Sequence, residues 1–309
     1  MRAWRYRKFA LIILSIFLTF SNTQLVLANI SQSSIFNISQ SQLELPIVKS
    51  GEIPKFHRVV ALANGSAEII AALGYHNILV GRDIASAISS LRNIPIDNPG
   101  HNISTELVIS QKPDLILVDD SSSPQTAIAL FSKVKLRVEK INNVFSYSAI
   151  SQKEETISKI LSTPKALKML LKTSNYETKN PAHIQVMFLY LRGTAAVYLM
   201  GGKGSGADSL IEQCGDIDVG AKILNSPFTP ITSEAIAAAN PQVFLLMTKG
   251  LESVGGIGGL QKLPGIAQTT AGIKGKVVTV DDSTLLSFGP RTYSLLKRLC
   301  LAIAKVGQK

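Results

Sequence analysis

Cysteine and aromatic residues are scarce in this chain. Its 309 residues include two cysteines and one tryptophan, and aromatic residues make up 6%. Two cysteines are too few for the disulfide framework of a small secreted domain, and the sequence leaves open whether Cys214 and Cys300 pair or stay as buried thiols. The basic residues are dispersed and lack interleaved aromatic residues, which argues against nucleic acid as a partner.

Long hydrophobic runs are missing beyond the first 28 residues. Four basic residues open the chain, namely Arg2, Arg5, Arg7 and Lys8. An apolar run over residues 10–20, a polar stretch over 21–24 and then Val26-Leu27-Ala28 follow, which is the order typical of a secretory signal peptide. The polar stretch ends the run short of the roughly 20 residues that span a bilayer, so a retained anchor is the less favoured alternative.

Acidic residues are in the minority. The chain has 32 Lys and Arg against 21 Asp and Glu, a net charge of +11. Cleavage after Ala28 removes four basic residues and no acidic one, which lowers that charge to +7. A basic balance suits an anionic small ligand or an acidic membrane surface. We predict an exported, extracytoplasmic monomer that begins near Asn29.

Motifs of the common enzyme classes are also absent. The glycine-rich segment 201–206 matches neither the phosphate-binding loop nor the dinucleotide fingerprint. There is no G-x-S-x-G elbow, and His101 has no evident nucleophile partner. We therefore predict that the protein is not an enzyme. An adhesive or structural exported protein remains as an alternative, and it would bind no coloured ligand.

A helix, a proline break and a buried strand occur twice in the same arrangement. Glu106 lies seven residues before Pro113, and a strand is predicted over 115–118; Glu234 lies seven residues before Pro241 and the strand over 243–247. Strands that alternate with helices indicate βαβ units and parallel sheets.

The domain organisation follows from this alternation. Residues 29–56 are rich in Ser, Gln and Asn and are predicted to be a flexible leader. Residues 148–180 have apolar positions at helical spacing, although Pro164 interrupts them. We predict an α/β fold with two Rossmann-like lobes, 57–147 and 181–309, joined by a long connecting helix, with the ligand in the cleft between the lobes.

Tyr190 and Arg192 close the apolar strand 186–189. Ligands of open α/β sheets bind beyond the carboxyl ends of strands, and residues i and i+2 of a strand share a face. A cation beside a phenol favours the phenolate, which is a hard oxygen ligand suited to ferric iron. The plain alternative is that Tyr190 covers the core while Arg192 binds a carboxylate or solvent.

Several segments together resemble the haem-binding members of the substrate-binding proteins of ABC importers, from about Arg58 to the C-terminus. They are Arg58-Val59-Val60-Ala61-Leu62 with Glu68, Pro99-Gly100-His101-Asn102-Ile103-Ser104, Tyr190-Leu191-Arg192-Gly193, Gly204-Ser205-Gly206-Ala207-Asp208, residues 247–256, Leu263-Pro264-Gly265 and Ser287-Phe288-Gly289-Pro290-Arg291-Thr292. Binders of cobalamin or a ferric siderophore share the fold and the opening strand, and they form the alternative.

The resemblance implies a ligand and its contacts. Ferric haem b would lie between the lobes as the transported ligand, with His101 and Tyr190 on opposite faces of the iron. Arg192 would donate to Tyr190, and Met247 would pack against the porphyrin. The chain departs from relatives that use a tyrosine where His101 stands. An exposed loop histidine and a buried methionine at a strand end are the plain alternatives.

The resemblance also implies partners. These are an ABC permease with its ATPase and, further upstream, haem-donor surface proteins. Glu68 and Glu234 resemble docking carboxylates that meet arginines of the permease, one on each lobe surface. The alternative is that both simply favour a helix N-terminus, an explanation that fits Glu106 equally well.

Overall fold

The computed structural model describes residues 34–99, 102–142, 145–173 and 183–308. The strands of the first lobe are β2 (Val59–Ala61), β3 (Leu79–Arg82), β4 (Leu115–Val118) and β5 (Val138–Lys140). Its helices are α1 (Ser66–Ala72), α2 (Thr105–Ser110) and α3 (Gln125–Lys133). The predicted signal peptide, residues 1–28, lies outside the described residues. None of the helices in the described ranges is long and apolar enough to cross a membrane.

The second lobe contains the remaining strands and most of the remaining helices. Its strands are β1 (Ile35–Ile38), β6 (Gln185–Arg192), β7 (Val197–Gly201), β8 (Ile217–Asp218), β9 (Phe228–Pro230), β10 (Val243–Met247) and β11 (Val277–Val280). The connector helices are α4 (Ile150–Leu161) and α5 (Pro164–Leu171). The helices of the second lobe are α6 (Ala207–Gln213), α7 (Val219–Ile223), α8 (Ser233–Ala239), α9 (Thr248–Ser253), α10 (Gly256–Leu260), α11 (Thr270–Lys274), α12 (Asp282–Ser287) and α13 (Arg291–Gly307).

The predicted α/β class with parallel sheets is confirmed. The first lobe has the order β3-β2-β4-β5, and all three pairings are parallel. The second lobe has the order β1-β11-β10-β6-β7-β9, with β8 beside β6. This second sheet is mixed, because β7 runs antiparallel to both of its neighbours, β6 and β9. The short turn Gly193–Ala195 between β6 and β7 explains the reversal, since a parallel pair needs a longer crossover.

Strand β10 shows how the second lobe divides its core. Val243, Leu245 and Met247 pack on one face of the sheet with helix α13. Phe244 and Leu246 pack on the opposite face. Because both faces are covered, the strand is apolar at every position, as the uninterrupted run in the sequence indicated.

The connector is two helices rather than one long helix. Helix α4 ends where Ser162 adopts a left-handed conformation, with φ of 60°. Helix α5 then begins with Pro164 in its first turn, where the missing proline N–H costs nothing. The proline that interrupts the pattern therefore separates the helices.

The prediction of a flexible leader is wrong for its described part, residues 34–56. Strand β1 pairs in parallel with β11 and extends the sheet of the second lobe. The chain then crosses to the first lobe, where the Val48 N–H donates to Ala72 O at 2.9 Å. Ile38, Leu43 and Phe56 are buried. Polar composition concealed this role, because a few apolar residues are enough to dock an edge strand.

Cys214 and Cys300 form a disulfide in this structure, with their Cα atoms 5.0 Å apart. The bond links the end of α6 to the middle of α13. Both residues are buried in the core of the second lobe. The structure therefore answers the question that the sequence left open.

A polar junction connects the two lobes. The Glu68 carboxylate of α1 accepts a hydrogen bond from the Arg291 N–H at 2.9 Å, and its Oε2 lies 3.0 Å from Arg291 Nη2. The connector adds Lys153, whose Nζ donates to Asn64 O of the first lobe at 3.1 Å and to Phe288 O of the second at 3.3 Å. All three charged side chains are buried.

Candidate functional site

The candidate site starts from Tyr190, near the carboxyl end of β6. The residue is half-buried and packs at the edge of the core of the second lobe. Its ring meets the Phe228 ring edge to face, with the ring centres 5.6 Å apart. Phe228 comes from β9 and is 40% exposed. Two aromatic rings therefore form a partly exposed apolar surface at the end of β6.

Arg192 lies on the same side of the strand as Tyr190, as its spacing predicts. Its guanidinium carbon is 4.7 Å from the centre of the Tyr190 ring, which is a cation–π arrangement. Its Nη1 donates to Leu191 O at 3.0 Å, and its Nη2 lies 3.9 Å from Met247 Sδ. The predicted donation from Arg192 to the phenol oxygen is not among these contacts, because the guanidinium covers the ring face.

Asp282 is a member of this cluster that the sequence did not suggest. Its Oδ2 lies 3.2 Å from Arg192 Nη2, so the plain alternative for Arg192, a carboxylate partner, holds in this structure. Burial raises the pKa of Asp282, and the Lys249 N–H and the Arg192 charge act in the opposite direction. The Asp282 carboxylate thereby fixes the orientation of the Arg192 guanidinium. Asp282 is the first residue of helix α12. Acidic residues are common in the first turn of a helix for electrostatic reasons alone, so its position gave no sign of a role in the site.

The glycine-rich segment after β10 closes over the end of β6. Ser253 Oγ accepts a hydrogen bond from the Gly193 N–H at 2.9 Å. A Cβ at Gly193 would clash with Ser253 O, so only glycine fits this approach. The segments 190–193 and 247–256, which carried part of the resemblance, are thus neighbours in space.

Met247 is fully buried in the core of the second lobe. The predicted packing of its side chain against a porphyrin therefore has no support in this structure. The burial matches the alternative of a core methionine at a strand end. Its sulfur instead contacts the Arg192 guanidinium.

His101 and Gly100 lie outside the described residues, so the distance from His101 to Tyr190 is untested. The flanks of this segment are well anchored. The Asn102 N–H donates to Pro99 O at 3.2 Å, and the Ile103 N–H donates to Ser123 O at 2.8 Å. Asn98 Nδ2 donates to Leu62 O at the end of β2. Both flanks are therefore tied to the first lobe near the carboxyl ends of its strands.

The prediction that Glu68 lies on an exposed surface is wrong. Its side chain is 0% exposed and its carboxylate is engaged by Arg291. The early turn of α1 faces the other lobe rather than solvent, which the helix pattern alone does not reveal. Glu234 is exposed in the first turn of α8, as predicted. Glu106, the equivalent residue of the repeated unit, is also exposed in the first turn of α2.

The site offers a phenol, an aromatic surface and a cation rather than a cluster of ordinary metal ligands. Within the described ranges, no group of three or more His, Cys, Asp or Glu side chains is arranged to hold a metal ion. A flat, anionic and largely apolar molecule would match the two rings and the guanidinium.

Known proteins with solved structures resemble the whole described fold. The periplasmic heme-binding protein RhuT from Roseiflexus sp. RS-1, solved in apo form, is 31% identical, with a TM-score of 0.74 over 81% of this chain and 99% of its own. The heme-binding protein HmuT is 26% identical, with a TM-score of 0.75 over 88% of this chain and 97% of its own. The periplasmic heme-binding protein BhuT, solved with two hemes, is 26% identical, with a TM-score of 0.72 over 81% of this chain and 98% of its own.

The HmuT structures include three alanine variants, of a histidine, a tyrosine and an arginine two positions after the tyrosine. No match was found among curated protein sequences. The family model described as periplasmic binding protein matches residues 59–284. This match covers most of the chain and both lobes, so the chain belongs to the periplasmic binding protein family.

Proposed function

We propose that the protein captures ferric haem between its two lobes outside the cytoplasm and delivers it to an ABC importer. The observation that carries this proposal is the pair Tyr190 and Arg192 at the end of β6, beside the exposed ring of Phe228. HmuT, a heme-binding relative, has been studied through variants of a tyrosine and an arginine at the same spacing. RhuT and BhuT, named as heme-binding proteins, share the fold over nearly their whole length.

In this proposal His101 and Tyr190 bind opposite faces of the iron. A phenolate is a hard ligand for ferric iron, and imidazole is a common axial ligand of haem. The Phe228 ring supplies apolar surface for the porphyrin beside Tyr190. Arg192, held by Asp282, places a positive charge next to the ring that would carry the phenolate. Its charge would act through space rather than through a hydrogen bond to the phenol.

The test is a hemin titration of residues 29–309, followed by absorption spectroscopy. We expect one haem per chain, and we expect Tyr190→Phe combined with His101→Ala to lose the native spectrum and most of the affinity. The matched control is Tyr198→Phe with His76→Ala, because Tyr198 lies on the neighbouring strand β7 and His76 is exposed in the first lobe. A site double variant that keeps the parental spectrum and affinity would refute the assignment of these ligands.

The alternative ligand classes are cobalamin and ferric siderophores, which relatives of this fold bind. They make a different prediction for the same titration. Under the haem proposal, neither cyanocobalamin nor a ferric hydroxamate should displace bound hemin at equal concentration. Displacement by either one would favour the alternative.

Docking on the permease is assigned in this proposal to Glu106 and Glu234 instead of Glu68. The two residues occupy equivalent positions of the repeated unit, one in each lobe, and both are exposed. The proposal also includes export through a signal peptide that is cleaved after Ala28. Upstream haem-donor surface proteins are further partners, and the protein acts as a monomer. Mass spectrometry of the exported protein would test the cleavage position.

A further inference from the structure

A cavity of about 610 Å³ has neither Tyr190 nor Arg192 in its lining. One wall is the leader where it passes from the second lobe to the first, including Gln40 and Leu45. The opposite wall is the segment after β3, including Arg82, Ile88 and Arg92. Arg291, at the start of α13, completes the lining. The leader, both lobes and the polar junction therefore all contribute to this cavity.

The charged groups that line the cavity have one sign. Three arginines and no carboxylate are among its lining residues. Arg82 is 7% exposed, and its Nε and Nη1 donate to backbone carbonyls, among them Leu91 O at 3.1 Å. Arg92, in contrast, is exposed, and it also lines the cavity. The Asp83 and Asp97 carboxylates act on Arg82, and Arg291 is paired with Glu68, so the exposed Arg92 is the guanidinium that most favours an anion here.

Two buried donors at the cavity lack a partner within the described part of the chain. Arg291 is 1% exposed, and its Nε has no hydrogen-bond acceptor there. Its Nη2 is close enough to Glu68 Oε2 for an ion pair but is not aligned with it as a hydrogen bond. The buried Nε2 of Gln40 also has no acceptor among those residues. Unpaired buried donors are costly, and an acceptor from a ligand would satisfy them.

Aliphatic side chains from both walls also line the cavity. Leu45, Ile47 and Ile88 line it, and Ile47 is 52% exposed. A volume of this size accommodates a small organic molecule rather than a single ion. The lining thus combines hydrogen-bond donors with aliphatic side chains, and each wall contributes both.

We propose that this cavity binds a small amphiphilic anion, with its charged head at Arg92, Arg291 and Gln40 and its aliphatic body against Leu45, Ile47 and Ile88. A medium-chain carboxylate has this chemistry. Its binding would join the leader to both lobes and would raise the melting temperature, because a ligand that binds only the folded state stabilises it.

The experiment is a calorimetric titration of residues 29–309 with octanoate, octanol and inorganic phosphate. Octanol has the aliphatic body without the charge, and phosphate has the charge without the body. We expect saturable 1:1 binding of octanoate, at least tenfold tighter than that of either comparison molecule. Equal affinity for octanol would overturn recognition of charge, equal affinity for phosphate would overturn recognition of the body, and no saturable octanoate binding would overturn the proposal.

Variants locate the octanoate site. Arg92→Gln should weaken octanoate binding by about tenfold, the scale of one hydrogen bond to a charged group. Arg298→Gln is the matched control, because Arg298 is exposed on α13 and does not line the cavity. Ala87→Trp should block the cavity. Unchanged octanoate affinity in both cavity variants would place the binding elsewhere.

The haem site is tested separately with Tyr190→Phe. We expect this variant to bind octanoate as the parent does, and we expect hemin to leave the octanoate affinity unchanged. Loss of octanoate binding in Tyr190→Phe, or competition with hemin, would show that octanoate occupies the haem cleft and would overturn the second site. Octanoate binding does not depend on the haem proposal, so either proposal can fail alone.

Discussion

At the scale of single residues, Arg192 makes several contacts besides the one with Tyr190. Arg192 contacts the Tyr190 ring, the Met247 sulfur and the Asp282 carboxylate at once. Asp282 fixes the direction of the guanidinium, so the two residues should behave as a unit. Lysine would not reproduce this arrangement, because it lacks the planar fork.

We expect Arg192→Ala to weaken hemin binding by roughly tenfold, the scale of one charge-assisted contact, and to change the haem spectrum. Part of any loss of stability would come from Asp282, which is left half-buried without its partner. The double variant Arg192→Ala with Asp282→Asn separates these effects: its thermal stability should recover while its hemin affinity stays low. Recovery of affinity in the double variant would show that Arg192 acts only by neutralising Asp282.

A second residue with a measurable consequence is Glu154, buried in helix α4. The pKa of its carboxyl is raised to about 8, mainly by burial. The Glu68 and Glu155 charges also raise this pKa, while the hydrogen bond from Tyr293 and the charge of Lys153 lower it. In the unfolded chain this carboxyl ionises near 4.5. The folded protein therefore holds a proton that the unfolded chain releases. The stability that this carboxyl contributes is fully present below about pH 4.5 and is lost as the pH rises towards 8.

Glu154→Gln removes this titration while keeping the shape of the side chain. Between pH 5 and pH 8, we expect the variant to lose about 3–4 kcal/mol less unfolding free energy than the parent. Urea unfolding at a series of pH values measures the difference. Glu106→Gln is the control, because Glu106 is exposed on α2 and is not among the groups that shift the pKa of Glu154, so it should leave the pH profile unchanged. Parallel profiles for the parent and Glu154→Gln would refute the assignment.

At the scale of elements, the disulfide joins two helices that are distant in sequence. Cys214 and Cys300 are separated by 86 positions, and their bond ties α6 to α13 across the core of the second lobe. A bond that closes a long loop restricts the unfolded chain, and the entropy model predicts a stabilisation that grows with loop length. The leader and the connector each carry the chain from one lobe to the other, and the crossing by the leader was not predicted.

We expect the double variant Cys214→Ala with Cys300→Ala to lose about 2–5 kcal/mol of unfolding free energy. Urea unfolding with and without reductant measures it. Reductant should lower the midpoint of the parent and leave that of the double variant unchanged. An identical midpoint for the parent and the double variant, in the absence of reductant, would contradict a stabilising role for this bond.

At the scale of the whole molecule, the two lobes differ in sheet order but share one surface feature. The repeated unit of helix, proline and strand places Glu106 and Glu234 in the first turns of α2 and α8. Both side chains are exposed, whereas Glu68 is enclosed between the lobes. A pair of surface carboxylates, one on each lobe, suits a partner that contacts both lobes together.

We expect Glu106→Lys with Glu234→Lys to reduce stimulation of the reconstituted transporter's ATPase at least tenfold at low salt, with haem binding unchanged. The effect should shrink as salt rises, since rim charges are screened beyond about 8 Å at physiological ionic strength. Glu155→Lys, on the connector, is the charge-matched control. Full stimulation by the double variant at low salt would remove both carboxylates from the docking surface.

The local sequence determined the strands β4 and β10, the helix that precedes each of them and the position of Tyr190 and Arg192 near a strand end. These features depend on apolar periodicity, proline breaks and the i, i+2 geometry of a strand, which act within a few residues. The strands β4 and β10 accordingly have the bounds that the pattern indicated. The break at Pro164 was visible for the same reason.

Only the tertiary structure decided which polar residues are buried and where distant segments meet. The leader has a polar composition, yet its strand β1 pairs with β11. The sequence predicted Glu68 on the surface, yet it pairs with Arg291, 223 positions away. Asp282 likewise becomes part of the site only because α12 reaches the end of β6. Periodicity reports which side of an element is apolar. It does not report which partner covers a polar side chain, because that depends on contacts between residues far apart in the chain.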